Sequence, residues 1–115
     1  MPFTLSLRRP FVADHFHDLP GFQEDRHGHN WEVEAAVDVA NEAEEPVFAK
    51  ALEAWVAAIN YRLLNDLPNL TGRNPTAEVL AEHAFLYLQG AALQPRWVKI
   101  REKANYWALC RRDGQ

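Results

Sequence analysis

The stretch HGHNWEVEAAVDV, residues 27 to 39, alternates without interruption. His27, His29, Trp31, Val33, Ala35, Val37 and Val39 share one parity, and Gly28, Asn30, Glu32, Glu34, Ala36 and Asp38 share the other. That period of two predicts a long strand with one apolar face, because successive side chains of a strand point to opposite sides. Only the two histidines interrupt the apolar character of that face.

The rest of the chain arranges itself around this strand. Phe3, Leu5 and Leu7 alternate with Thr4, Ser6 and Arg8, so residues 3 to 16 predict another strand with a break at Pro10, which suggests an edge or a bulge, and with Phe11, Ala13 and His15 on one face. Asp18 to Arg26 holds Pro20, Gly21 and four charged residues and predicts a loop. After an acidic turn at Asn41 to Pro46, Phe48, Leu52, Trp55, Val56, Ile59 and Leu63 recur at helical steps. Glu44 and Glu45 stand where a helix N-terminus favours negative charge. Leu64 to Arg73 predicts a loop, and Asn74-Pro75 the cap and first residue of a second helix running to about Leu88, with Gly90 just beyond. Val98, Ile100 and Glu102 alternate with Trp97, Lys99 and Arg101, and Tyr106 to Arg111 completes a last hairpin. Strands at both ends of a helical middle predict an α+β fold: a four-stranded antiparallel sheet with two helices packed on one face.

A chain of 115 residues, 48% of them hydrophobic, is expected to form one domain over residues 1–115, since two would each be too small for a core. The single cysteine, Cys110, excludes an internal disulfide framework and reads as a small buried residue rather than a nucleophile. A net charge of -4 argues against a general nucleic-acid binder. No apolar run approaches the ~18 residues of a membrane span. The N-terminal MPFTLSLRRP lacks the apolar segment of a secretion signal, so a cytoplasmic location is the expectation.

The histidines carry the sharpest chemical signal. Residues two apart on a strand lie about 6.6 Å apart along the backbone and point the same way. Imidazoles so placed can converge on one metal at about 2.0–2.1 Å. A third histidine from a neighbouring strand would make three protein ligands and an open position, the arrangement of catalytic rather than structural zinc. His15 is favoured as that third ligand because it shares a face with Phe11 and Ala13; His17 has the same parity and is its rival, and His83 falls in the second helix. Glu102 shares the parity of Val98 and Ile100 and is expected to be buried. A buried carboxylate needs a partner, either one of the arginines or a ligand with two N–H donors. Glu24, Asp25 and Arg26 precede the histidine pair in a charged loop.

Four segments together resemble one family. FVADHFHDLPGFQEDRHGHNWEVEAAV resembles the N-terminal half of the 6-pyruvoyl-tetrahydropterin synthase and 6-carboxy-tetrahydropterin synthase family; LLNDLPNL, NPTAEVLAEHAFLYL and VKIRE resemble its inter-helix loop, its second helix and its pterin-binding strand. The resemblance implies the tunnelling fold, whose sheets close into a barrel in trimers that commonly pair into hexamers, with active sites at subunit interfaces. It implies Zn2+ held by His15, His27 and His29, a pterin substrate anchored by Glu102, and Pro75 and Thr76 near the ring pocket.

The sequence also departs from the family pattern. Most members carry a catalytic cysteine four residues before the first histidine of H-G-H, where this chain has Gln23. Glu24 stands next to it, and E-x-x-H-G-H resembles a variant branch in which glutamate replaces the cysteine. That branch cleaves the side chain of a dihydroneopterin compound to 6-hydroxymethyl-7,8-dihydropterin for folate synthesis. The family's Asp-His pair before the L-N-D loop reads Asn60-Tyr61 here, and its Asp-Phe after the second strand reads Val47-Phe48. The expectation is therefore a zinc-dependent pterin lyase with Glu24 as general base and Tyr61 as a second catalytic residue. The alternatives are a non-catalytic or differently catalytic pterin-binding homologue, or the usual synthase activity. A homo-oligomer, trimer or hexamer, is expected in each case, with no nucleic-acid or membrane partner.

Overall fold

The computed structural model describes residues 2–16, 18–19, 22–23, 25–70 and 73–114. Strands β1 (Phe3–His15) and β4 (His27–Val39) pair antiparallel over their whole length, with Phe3 opposite Val39 and His15 opposite His27. β6 (Pro95–Lys103) lies along the other side of β4, and β7 (Tyr106–Arg111) along β6. Those are the four expected antiparallel strands. A fifth is added: the two-residue β5 (Arg62–Leu63) runs parallel to β1 beside Ala13 and Asp14, giving the order β5-β1-β4-β6-β7. Inside the segment expected to be loop, β2 (Asp18–Leu19) and β3 (Phe22–Gln23) pair antiparallel as a separate two-stranded sheet.

Pro10 does not break β1; it pairs in register with Glu32. The reason is which way its backbone faces. The Val12 N–H donates to Asn60 Oδ1 and the Val12 carbonyl accepts from the Tyr61 N–H, so that residue points away from β4. Pro10, two residues earlier, points the same way, where its missing N–H costs no ladder bond.

Helix α1 (Glu45–Ile59) follows a 3-10 turn at Glu42–Glu44. Asn41 and Glu44 form a capping box there, which satisfies the first free N–H groups. The helix stops at Ile59, and Leu63 passes to β5 instead of continuing the helical stripe. Helix α2 (Ala77–Gly90) starts later than Asn74-Pro75 implies: the cap is Thr76, whose Oγ1 accepts from the Val79 N–H at 3.2 Å. Gly90 is helical, and the left-handed residue past the end is Ala92, at φ 65°. Leu93 N–H reaches the Leu88 carbonyl and Ala92 N–H that of Gln89, a Schellman closure that fixes the turn without glycine.

Both helices cover one face of the sheet. Phe48, Leu52, Trp55 and Ile59 of α1, with Leu80, Ala81, Ala84 and Leu88 of α2, are buried against Phe11, Trp31, Val33, Val37, Val98 and Ile100. Phe11 stacks on Trp31 at 5.8 Å between centroids and meets Trp55 edge-on at 5.6 Å. Each fully buried large side chain of this set contributes about 1.5–3 kcal/mol. The opposite face is polar: Thr4, Arg96 and Arg112 all bond Asp38, and Ser6 bonds Glu34. Among the described residues no helix is long and apolar enough to cross a membrane.

Candidate functional site

The long β1–β4 register carries the histidines to one end of the sheet. His15 stands opposite His27, and Ala13 opposite His29, so strand parity puts the three imidazoles on the helix side. Their ring centroids lie 4.6 to 5.0 Å apart. One nitrogen from each falls within 4.8 Å of the others, close enough for small side-chain rotations to bring all three onto a single ion. Trp31 closes the inner side of the cluster, 5.1 Å from His15 and 5.5 Å from His29, and its indole N–H is held by the Ala13 carbonyl.

Hydrogen bonds set which nitrogens face the cluster. His15 Nδ1 lies 2.9 Å from the Pro75 carbonyl, and His27 Nδ1 lies 3.0 Å from that of Asp25. A carbonyl only accepts, so each Nδ1 carries a proton, and in the neutral form of such a ring Nε2 is the nitrogen with the lone pair that a metal takes. This is the donor set and outer support that a divalent metal requires. His15 is 1% exposed. Burial above all pushes His29 below its ordinary value of 6.5; the charges of His15, His27 and Lys103 add to the shift, and only Glu102 opposes it. A neutral ring is the form that binds a metal.

Other residues position these groups. The Asn65 side-chain amide exchanges two hydrogen bonds of 3.0 Å with the backbone of Phe16, which locks the residue after His15. Gly28 makes room across the strand pair: a Cβ there would fall 2.6 Å from Asp14 Oδ1, and Asp14 clasps Arg26 at 2.7 Å just before His27. Asn65 and the Pro75 carbonyl have no signature in parity, although L-N-D and N-P-T mark where they stand.

Glu102 arrives by a different device. Arg101 opposes Trp107 and Lys103 opposes Tyr106, so Glu102 is the extra residue of a β-bulge at the end of β6. A bulge re-aims the side chain it carries. Here the carboxylate Oε1 comes 3.1 Å from His15 Nε2 and 3.5 Å from His29 Nε2. Glu102 also lines a pocket of about 190 Å³ with Thr76, Ala77, Lys103 and Tyr106, the last held by Glu78 at 2.6 Å. Lys103 and Tyr106 were not legible as pocket residues, because strand parity fails across the bulge.

The structure thus brings together His15, His27, His29 and Glu102, with Thr76 in the adjoining pocket. It does not bring Tyr61 there. Tyr61 is 80% exposed at φ 61° and lines a separate pocket of about 280 Å³ with Pro10, Asn30 and Asn60. Asn60 and Tyr61 bond both backbone groups of Val12, so the pair fastens the end of α1 to β1. Val47 is exposed and Phe48 is core. Glu24 and His17 lie outside the described residues.

One protein family, described as 6-pyruvoyl tetrahydropterin synthase, matches residues 4–113. No curated protein matches the chain. Among solved structures, the chain is similar to the Caenorhabditis elegans 6-pyruvoyl tetrahydropterin synthase, with a TM-score of 0.81 at 15% identity, over 98% of this chain and 97% of the other. The Plasmodium vivax synthase gives 0.76 at 12% identity, over 97% and 98%, and the Plasmodium falciparum synthase 0.71 at 13%, over 96% and 98%. At such identities the likeness is one of fold, and the fold is the tunnelling fold.

Proposed function

The chain belongs to the 6-pyruvoyl tetrahydropterin synthase family, and from that premise we propose that residues 1–115 are one pterin-processing domain acting as a zinc-dependent lyase. The observation that carries the reading is the convergence of three imidazoles beside the Thr76–Glu102 pocket. The substrate proposed is a 7,8-dihydroneopterin or its phosphate esters, cleaved to 6-hydroxymethyl-7,8-dihydropterin for folate synthesis, in the cytoplasm.

His15, His27 and His29 would hold Zn2+. When bound, the ion supplies Lewis acidity that lowers the pKa of the substrate's side-chain hydroxyls. Glu102 accepts hydrogen bonds from the ring's amino and N–H groups and fixes the ring, a bidentate match for a carboxylate. Thr76, committed to capping α2, shapes the wall beside it. Glu24 takes the hydroxyl proton as general base; the carbon–carbon bond then breaks as the carbonyl forms, its electron pair passes into the conjugated dihydropterin ring, and the proton returns from Glu24 to the side-chain carbon that stays on the ring. Support for glutamate in that role comes from two Plasmodium vivax synthase structures, each described as a catalytic residue mutant in which a glutamate is replaced, by Cys or by Ala. Tyr61 lines a different pocket from that of Glu102 and Thr76, so as a catalytic residue it would serve the site of a neighbouring subunit in a trimer or hexamer.

A second reading has its own observation. Asn60 and Tyr61 are accounted for by their bonds to Val12, which favours a pterin-binding homologue with altered or no turnover. A product assay separates the two. The zinc-loaded protein is incubated with dihydroneopterin and with its triphosphate, and the oxidised pterins are separated by chromatography, with Glu24→Ala as control. Formation of 6-hydroxymethylpterin, lost in the control, is the expected result. Binding of both substrates without turnover would favour the second reading.

A further inference from the structure

We propose that Glu102 is a fourth protein donor to the metal in the substrate-free protein, and that it leaves the ion when a pterin ring claims its carboxylate. The inference rests on the three-histidine metal site of the preceding section and adds a switch to it.

The geometry argues directly for a shared cation. Oε1 of Glu102 does not sit at the far end of the ring pocket; it stands 3.1 Å from His15 Nε2 and 3.5 Å from His29 Nε2, among the ligand atoms themselves. The His15 nitrogen it faces is the ligating one, because Nδ1 is committed to the Pro75 carbonyl. In the metal-binding state both imidazoles present lone pairs, and a carboxylate oxygen is also an acceptor. Acceptors converge at such distances when a proton or a metal ion lies between them, and a single metal ion serves both nitrogens and the carboxylate at once. The Glu102 side chain is 13% exposed, and among the described residues no arginine or lysine forms an ion pair with it. A carboxylate so far out of water needs a positive partner. Glu102 keeps the inward parity of the buried Val98 and Ile100, and the β-bulge at Arg101–Lys103 leaves it without a partner residue on β7.

The coordination chemistry is consistent. Zinc accepts imidazole nitrogen and carboxylate oxygen at nearly the same distance, about 2.0–2.2 Å, and takes four ligands. Three histidines and Glu102 would complete that set from protein alone. A closed set holds the ion but leaves no position for substrate, whereas the open set of a catalytic site does. The same carboxylate lines the ring pocket, so occupation of that pocket by a group with two N–H donors competes for it. Ring binding and opening of the coordination sphere then become one event, and by linkage each changes the affinity for the other.

The test uses the full chain, stripped of metal by chelation. Zn2+ affinity is measured by competition with a chromophoric chelator, and Co2+ is used to read the coordination sphere from its visible bands. Wild type, Glu102→Gln and His29→Ala are compared, with circular dichroism to verify folding. Glu102→Gln is expected to bind Zn2+ at least about tenfold more weakly, since even outer-shell partners of metal ligands are worth ~10–100-fold. Its Co2+ spectrum is expected to differ from the wild type's, and pterin without a side chain is expected to move the wild-type spectrum toward it. Glu102→Asp keeps the charge but shortens the reach, and should lose affinity as well should the glutamine variant fold poorly. Wild-type affinity and an unchanged spectrum in a folded Glu102 variant would overturn the proposal while leaving the three-histidine site standing. A wild-type protein that takes up neither ion would overturn both.

Discussion

Asp38 is where three separate parts of the chain meet. Its carboxylate accepts from Arg112 at 2.7 Å, Arg96 at 2.8 Å and Thr4 at 3.0 Å. Those bonds, Arg112 first and Arg96 next, hold its pKa down from 3.8 to about 2. A depressed pKa means that the folded state binds this proton less readily than the unfolded one. The stabilisation is therefore complete above about pH 3.8 and is lost as pH falls toward 2. The full shift would correspond to about 2 kcal/mol, and solvent around a surface group reduces that to roughly 1 kcal/mol. Asp38→Asn should cost about that much at pH 7 in urea unfolding, and the difference between variant and wild type should shrink as pH falls through about 2; an equal difference at pH 7 and pH 2 would refute the assignment. At this scale the sequence was informative where parity held. His15, His27, His29 and Asp38 sit on the faces their positions imply, because β1 and β4 keep register for thirteen residues each. Glu102 was legible as a turned-in carboxylate, but its approach to His15 and His29 was not, since it depends on a bulge set by how β6 meets β7.

Between elements, a tryptophan and a histidine join the two helices. Trp55 of α1 donates its indole N–H to His83 Nδ1 of α2 at 2.9 Å, which requires that nitrogen to be unprotonated. Burial, followed by the charge of Arg73, pushes His83 below 6.5. The unfolded chain therefore takes up this proton at higher pH than the fold does. Stability from this site is intact above about pH 6.5 and declines as pH falls toward the depressed folded value. His83→Gln keeps an acceptor without a titration, so thermal unfolding followed between pH 7 and 5 should show a shallower decline in the variant. An identical slope would remove His83 from the account. The helices themselves were legible from their apolar stripes; their ends were not. The α2 cap lies at Thr76 rather than Asn74 because the Thr76 hydroxyl closes the first turn, a choice between two good capping residues, whereas the fifth strand depends on a tertiary partner, the Val12 backbone, which no local pattern records.

Seen as a whole, the molecule is 53 Å long and 29 by 27 Å across, its length set by the β1–β4 ribbon. β5 covers β1 only at Ala13 and Asp14, so the rest of β1 forms one sheet edge and β7 the other. Phe3, Trp107 and Leu109 are 51%, 51% and 40% exposed on these edge strands. Open edges with apolar side chains favour association. The expected mass in solution is three or six times 13.2 kDa by light scattering. Leu109→Lys, a charge on an edge strand, should lower it at micromolar protein, and an unaltered mass would argue against this edge as an interface. Fold class and helix placement were legible from the order of periodicities, whereas edge closure is a property of copies and not of one chain's pattern. One small feature reaches furthest. Pro75 gives its carbonyl to His15, and the next residue, Thr76, starts α2. The smallest portable version of this site is consequently not three histidines on a ribbon. Anyone transplanting it into another scaffold would have to carry the start of a helix with it, at the same distance and angle, or His15 would arrive with the wrong nitrogen forward.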